Sequence, residues 1–234
     1  MLRPHRPTAF TLIELLVVIS IIALLIGLLL PVLGRARTAA QDVLCQSRLR
    51  SLHQITHVYA SDNDQRIPIG YRAGRVQFNT NVWSGFNQEY VLHGLMLLDG
   101  LHDAAPENLY CPRETAPGQS FDTAENPWRR RTETTTPWPN VQSGYAMAPL
   151  HEENAGPLPR LEDQLGTQPL YADTVNLPER VDSRHQTGAY VLHADAGVSF
   201  VTRDRLDPFL PTGLTLDAAH NASQMDLWAE LGNR

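Results

Sequence analysis

The chain has 234 residues, 42% of them hydrophobic and 19% charged, which suits one globular domain with an appendage and is too apolar for a disordered chain. Collagen, coiled-coil and disulfide-dense miniprotein classes are excluded by the same numbers. All 19 basic residues are arginine and 25 acids outnumber them, giving a formal charge of -6, so no nucleic-acid partner is favoured.

The charge is unevenly spread. Phe10 to Leu33 carries one acid and no base, whereas from Gln41 onward there are 24 acids and 15 arginines, a net of -9. This pattern predicts an anchor joined to an acidic body. As a helix, the 24 residues from Phe10 to Leu33 would extend about 36 Å, enough to cross a hydrocarbon core of about 30 Å with some tilt. A signal-peptide h-region is shorter, about 7 to 15 residues, and precedes small residues at its cleavage site. Here Leu28, Leu29 and Leu30 lead into Pro31 and Arg35 instead. Arg3 and Arg6 before the span balance Arg35 and Arg37 after it, so arginine counting leaves the orientation open.

Glu14 lies four residues inside the apolar run. A charge at the centre of a bilayer costs about 2.5 to 3.5 kcal/mol on insertion scales, and less near an end. Either the carboxyl group reaches the boundary or is protonated, or it meets a cation that arrives on assembly.

The segment Thr8-Ala9-Phe10-Thr11-Leu12-Ile13-Glu14-Leu15-Leu16-Val17-Val18-Ile19 resembles the cleavage and methylation segment of type IV prepilins and type II secretion pseudopilins. The resemblance implies that a prepilin peptidase cuts between Ala9 and Phe10 and methylates the new Phe10 amine. Ala9 stands where the family usually has glycine. It further implies a cytoplasmic leader at residues 1–9, a single span at residues 10–33 in the inner membrane and an extracytoplasmic body. Its expected partners are the peptidase, membrane lipid, the inner-membrane assembly machinery and other pilin or pseudopilin subunits. In a staggered stack the freed Phe10 amine would meet Glu14 of a neighbour in a poorly solvating medium. Pro31, 21 residues after the cut, falls where pilin helices commonly carry a proline, and with Gly27 it would let the stem extend or bend.

Beyond the span, Cys45, Leu49, Leu52, Ile55 and Tyr59 recur every three or four residues, predicting an amphipathic stem over residues 34–60 that needs a sheet to cover it. Ser61-Asp62-Asn63-Asp64 ends it as a turn rather than as a calcium loop, which needs more oxygen ligands. Cys45 to Pro68 is similar to a segment of pilin-like proteins with an extended outer domain. Residues 61–234 are then expected to form an α+β body, an antiparallel sheet packed on the long helix.

Within that body, alternation at Ile67, Ile69 and Tyr71 and at Val76 and Phe78, around Ala73-Gly74, predicts a strand pair. Val91 to Leu101 reads as a short apolar helix or buried segment ending before Pro106. Residues 115–139, rich in Pro, Thr, Arg and Glu without periodicity, read as a surface insertion, whose Arg129-Arg130-Arg131 run is either a site for an acidic partner or, flanked by Glu125 and Glu133, a solvated loop. Gln168 to Asp173 reads as a strand, Ala189 to Thr202 as a hairpin turning at Asp195-Ala196-Gly197, and Leu214 to Leu231 as an amphipathic helix bearing Leu227, Trp228 and Leu231. The stretch from Tyr171 through His185 to Asp195 is similar to a C-terminal signature of a prepilin-like group, a histidine and an Asp-Gly pair with nine residues between them. Here the dipeptide is Asp195-Ala196, and Gly197 comes one place late.

For chemistry, His185, His193 and Asp195, with Asp173 or His151, can be drawn as a metal set; the rival reading is an Asp bonding its own turn among nine scattered histidines. No phosphate loop, nucleophile elbow or H-E-x-x-H motif occurs, so neither a cofactor nor an enzyme activity is expected. Cys45 and Cys111 are either a bridge, worth about 4 kcal/mol in the chain-entropy model, or two buried thiols. Asn221-Ala222-Ser223 matches a glycosylation triplet and is assigned no role. The leading expectation is a filament subunit. The alternatives are a membrane-anchored binding module for envelope material and a tethered metal-dependent hydrolase built on His185, His193 and Asp195.

Overall fold

The computed structural model describes residues 11–72, 74–76, 79–84, 89–97, 106–128, 140–152, 155–164, 166–210 and 218–233. By contact density the chain divides into two units, Met1–Asp42 and Val43–Arg234.

In the first unit, helix α1 (Leu12–Asp62) begins. Thr11 caps it: the Thr11 backbone N–H and hydroxyl donate to Glu14 Oε2 at 2.9 and 2.7 Å, and the Glu14 N–H donates back to the Thr11 hydroxyl at 3.2 Å. This is the reciprocal capping box that a Thr-x-x-Glu spacing allows. The apolar side chains from Leu12 to Leu33 are exposed along the whole run, and among the described residues α1 is the one helix long and apolar enough to cross a membrane. Within the apolar run the Ser20 hydroxyl donates to the Leu16 carbonyl at 2.7 Å, as a lipid environment requires. Pro31 sits inside α1 without ending it.

In the second unit, Cys45, Leu49, Leu52, Thr56, Tyr59 and Ala60 of α1 are buried, a face repeating at the helical period. They meet the body's antiparallel α+β scaffold. One sheet has the order β2-β1-β3 (Glu89–Tyr90, Asn81–Ser84, Val141–Gln142), and the other β4-β5-β6-β7 (Tyr145–Met147, Pro169–Asp173, Gly188–His193, Val198–Thr202). Together the long helix and these antiparallel sheets make a pilin-like α+β architecture.

Register decides which side chains face the stem. Tyr145 pairs with Asp173 and Met147 with Tyr171 across β4 and β5, and directly opposed residues share a face. Tyr171 and Asp173, two apart, therefore lie on the same side as Tyr145. From that side the Tyr171 hydroxyl meets Thr56 at 2.9 Å and the Tyr145 hydroxyl donates to the Cys45 carbonyl at 3.3 Å. Elsewhere Arg48 donates to the Tyr110 carbonyl at 2.8 Å, and His53 Nε2 donates to the Ala194 carbonyl at 3.0 Å.

The hairpin β6–β7 forms as expected, with Ala196 in the left-handed region at φ 64°. Helix α4 (Ala218–Leu231) buries Leu227, Trp228 and Leu231. It is held to α3 (Arg203–Leu206) by Arg205 and Glu230 at 2.6 Å. A 3-10 helix at Leu92–Leu97 stands at the start of the expected 91–101 helix.

Three expectations change. Among the described residues from Arg66 to Val76 no strand pair forms; they make the isolated bridges Arg66 to Arg160, Tyr71 to Glu152 and Arg72 to Arg75, and Phe78 lies outside the described residues. The alternation instead accompanies complete burial of Ile67 and Ile69, and the His151 and Pro159 carbonyls accept the Tyr71 and Ile67 N–H groups at 2.9 and 2.8 Å. The expected 115–139 surface insertion is not a solvated loop in its first half: Asn126 and Gln119 are buried, and Trp128 and Phe121 pack against Tyr110. Asn126 organises this part, donating to the Ser120 and Gln142 carbonyls at 3.0 and 2.7 Å while accepting from the Gln142 N–H at 2.9 Å. The Arg129 to Arg131 run lies outside the described residues. Finally, Asn221 works as a clamp, accepting from the Val76 N–H at 3.1 Å and donating to the Gly74 carbonyl at 2.6 Å, with Gly74 supplying the positive φ of that turn.

Candidate functional site: the N-terminal segment and a buried cystine cluster

Two places in the chain gather functional side chains, one in each unit. In the first, Ala9 and Phe10 lie outside the described residues, and Glu14 stands in the first turn of α1. The sequence leaves Glu14 to reach the boundary, to be protonated or to meet a cation on assembly; in the structure its carboxylate has Thr11 as a hydrogen-bond partner. Those bonds solvate the carboxylate without neutralising it, because threonine carries no charge. A cation is still the group that would gain most from approaching it. Pro31 lies two-fifths of the way along α1, where it lacks the N–H that would bond the Gly27 carbonyl.

In the second unit, Cys45 and Cys111 form a disulfide with a Cα–Cα distance of 5.3 Å, tying the stem face to the segment after the 3-10 helix Pro106–Leu109. Gly144 lets the β3–β4 connection press on that segment: it donates to the Leu109 carbonyl at 2.8 Å, and a Cβ there would stand 2.9 Å from Tyr110 Cα.

Against the cystine lies His185, delivered by the turn after α2 (Pro178–Asp182). Its Nε2 is 3.4 Å from Cys111 Sγ and 3.3 Å from Asp173 Oδ2, and its Nδ1 is 3.2 Å from Arg113. A guanidinium only donates, so Nδ1 is the acceptor and Nε2 carries the proton that faces Asp173. Tyr190 packs edge-on to the ring, centroids 4.8 Å apart, and its backbone N–H donates to Asp173 Oδ2 at 2.8 Å. Burial pushes the Asp173 carboxyl up from its ordinary range, against the pull of His185 and Arg184. Asp173 Oδ1 is buried without a hydrogen-bond partner. Beside this group runs a buried ion pair between Arg184 and Glu114, with Arg184 also reaching Gln119 at 3.3 Å and the Thr174 carbonyl at 3.4 Å.

The other two drawn metal candidates have structural partners. His193 is fully buried; its Nδ1 donates to the Thr167 carbonyl at 2.8 Å and its Nε2 accepts from the Ser199 hydroxyl at 2.7 Å. Asp195 accepts the Gly197 N–H at 2.8 Å, closing its own turn. Among the described residues, the ligand side chains close enough to share one ion are Cys45, Cys111 and His185, all buried.

Residues 5–30 match the family model described as the prokaryotic N-terminal methylation motif. No curated protein and no solved structure gives a significant match to the chain. The motif leads into a long apolar helix that fits a membrane anchor, and these features, with the helix-plus-antiparallel-sheet body, are consistent with a prepilin-like protein.

Proposed function

We propose that the chain is a structural subunit of a type IV pilus-like or type II secretion pseudopilus-like filament. In this reading prepilin peptidase cuts after Ala9 and methylates Phe10. The protein then waits in the inner membrane with its body outside, and co-assembles with other pilin or pseudopilin subunits through α1. The observation that carries the proposal is the methylation-motif match at residues 5–30 running into a helix whose apolar residues from Leu12 to Leu33 stay exposed. Such a surface suits lipid before assembly and neighbouring helices after it, where close packing replaces lipid contacts.

Glu14 supplies the specificity. Its charge persists despite the Thr11 bonds, so a methylated but still cationic Phe10 amine of a neighbour would be rewarded by pairing with it in a medium of low dielectric. Glu14→Ala tests the role: the variant is expected to reach the membrane fraction at the wild-type level and to be absent from sheared filaments. Incorporation at the wild-type level would overturn it.

A further inference from the structure

We infer that the Cys45, Cys111, His185 and Asp173 cluster is a zinc site in the dithiol form of the protein, and that the same four residues serve a cystine when oxidised. The inference does not rest on filament assembly.

The ligand types come first. Two thiolates, an imidazole nitrogen and a carboxylate form a set suited to tetrahedral Zn²⁺. With Zn–S about 2.3 Å, Zn–N about 2.05 Å and Zn–O about 2.1 Å, the edges of such a tetrahedron are about 3.6 Å for S···N and about 3.4 Å for N···O. The structure has Cys111 Sγ to His185 Nε2 at 3.4 Å and His185 Nε2 to Asp173 Oδ2 at 3.3 Å. Two edges are thus in place; Cys45, Cys111 and His185 already lie close enough to share one ion, while Asp173 touches only the histidine and must swing in as the sulfurs part.

An independent sign comes from Asp173, which is 2% exposed and has one oxygen with no hydrogen-bond partner. The idle atom is Oδ1, whereas Oδ2 faces His185 and accepts the Tyr190 N–H; a carboxylate turned to bind an ion through Oδ1 gains the partner that the cystine form lacks.

The chemistry balances. A protein dithiol reductant passes two electrons and two protons to the Cys45–Cys111 bond and is left as a disulfide, giving two thiols. Zn²⁺ then displaces the two thiol protons to solvent. His185 changes tautomer, its proton leaving Nε2 for Nδ1 with no net release, and Arg113, a partly exposed side chain, turns away from Nδ1 because two donors cannot face each other. A disulfide oxidant reverses the sequence and frees the ion. Either form fastens the stem to the body through the same residues, so a chain not yet oxidised is already held in its folded arrangement.

The experiment uses the full-length chain in detergent, reduced with a phosphine, equilibrated with Zn²⁺, stripped of excess by gel filtration and measured by metal mass spectrometry. One zinc per reduced chain and none in the oxidised chain is expected. His185→Gln and Asp173→Asn should each weaken binding at least about tenfold, while Arg113→Ala should tighten it, a gain that an unfolded dithiol binding zinc through sulfur alone would not show. Cobalt in place of zinc should give thiolate charge-transfer absorption that His185→Gln alters. A reduced wild type holding no more zinc than Cys45→Ser/Cys111→Ser, or affinities indifferent to both His185→Gln and Arg113→Ala, would overturn the inference.

Discussion

Thr11 and Glu14 close a hydrogen-bonded ring at the start of α1, with the Thr11 hydroxyl 2.7 Å from the Glu14 carboxylate. The acid therefore has two uses, holding the first turn in its own chain and offering charge to another. Removing the hydroxyl separates them. Thr11→Val should cost about 1 kcal/mol at the cap, so the amides of residues 12–15 should exchange hydrogen about five times faster in detergent while the Glu14 charge remains. Unchanged exchange would show that the cap contributes nothing.

The cystine closes a loop of 66 residues, worth about 4 kcal/mol in the chain-entropy model. Cys45→Ser/Cys111→Ser should lower the melting temperature of the body by about 10 °C, read by circular dichroism without metal. A shift below about 3 °C would mean that the buried stem face holds the body alone.

Arg184 and Glu114 are each about 1% exposed as side chains, so deleting one strands the other. Glu114→Gln or Arg184→Met should each destabilise by about 3 to 5 kcal/mol in denaturant titration, and the double change Glu114→Leu/Arg184→Met should recover most of that loss. Additive losses would contradict a paired role.

Tyr145 and Tyr171 bridge the sheet to the stem as neutral phenols, and burial raises both above the ordinary tyrosine range. Each binds its proton more tightly folded than unfolded. Their contribution is therefore full below about pH 10 and is lost as pH rises beyond it. Tyrosinate absorbance should show these two ionising only together with loss of circular dichroism. Ionisation of all seven tyrosines in one step before unfolding would contradict the packing. Tyr171→Phe should cost only about 1 kcal/mol, because Thr56 keeps its bond to the Leu52 carbonyl at 2.8 Å.

The stem was legible because its buried residues repeat at one period, and Cys45, Leu49, Leu52 and Tyr59 fall on the observed face. Thr56 escaped notice since its hydroxyl reads as polar, although a helix hides it by bonding it backward. The β6–β7 hairpin was legible from alternation around a turn. The pair β1 and β3 was not: these strands are four and two residues long and bury Asn81 and Ser84, so neither alternation nor apolarity marks them. Ile67 and Ile69 alternate for burial rather than for a ladder, a distinction period alone does not carry. The Thr11-x-x-Glu14 spacing carries the capping signal, but an acid inside an apolar run draws attention first to its charge. His185 meets Cys111 across 74 residues, and no local pattern announces a contact of that range.

The central claim is that the chain matures by loss of residues 1–9 and becomes a filament subunit through the new terminus. Intact-mass and N-terminal peptide mass spectrometry of the protein recovered from native membranes reads that terminus directly. A chain beginning at an N-methylated Phe10 is the expected result. A mature protein that still begins at Met1, or is cut on the far side of the apolar run, would contradict the account.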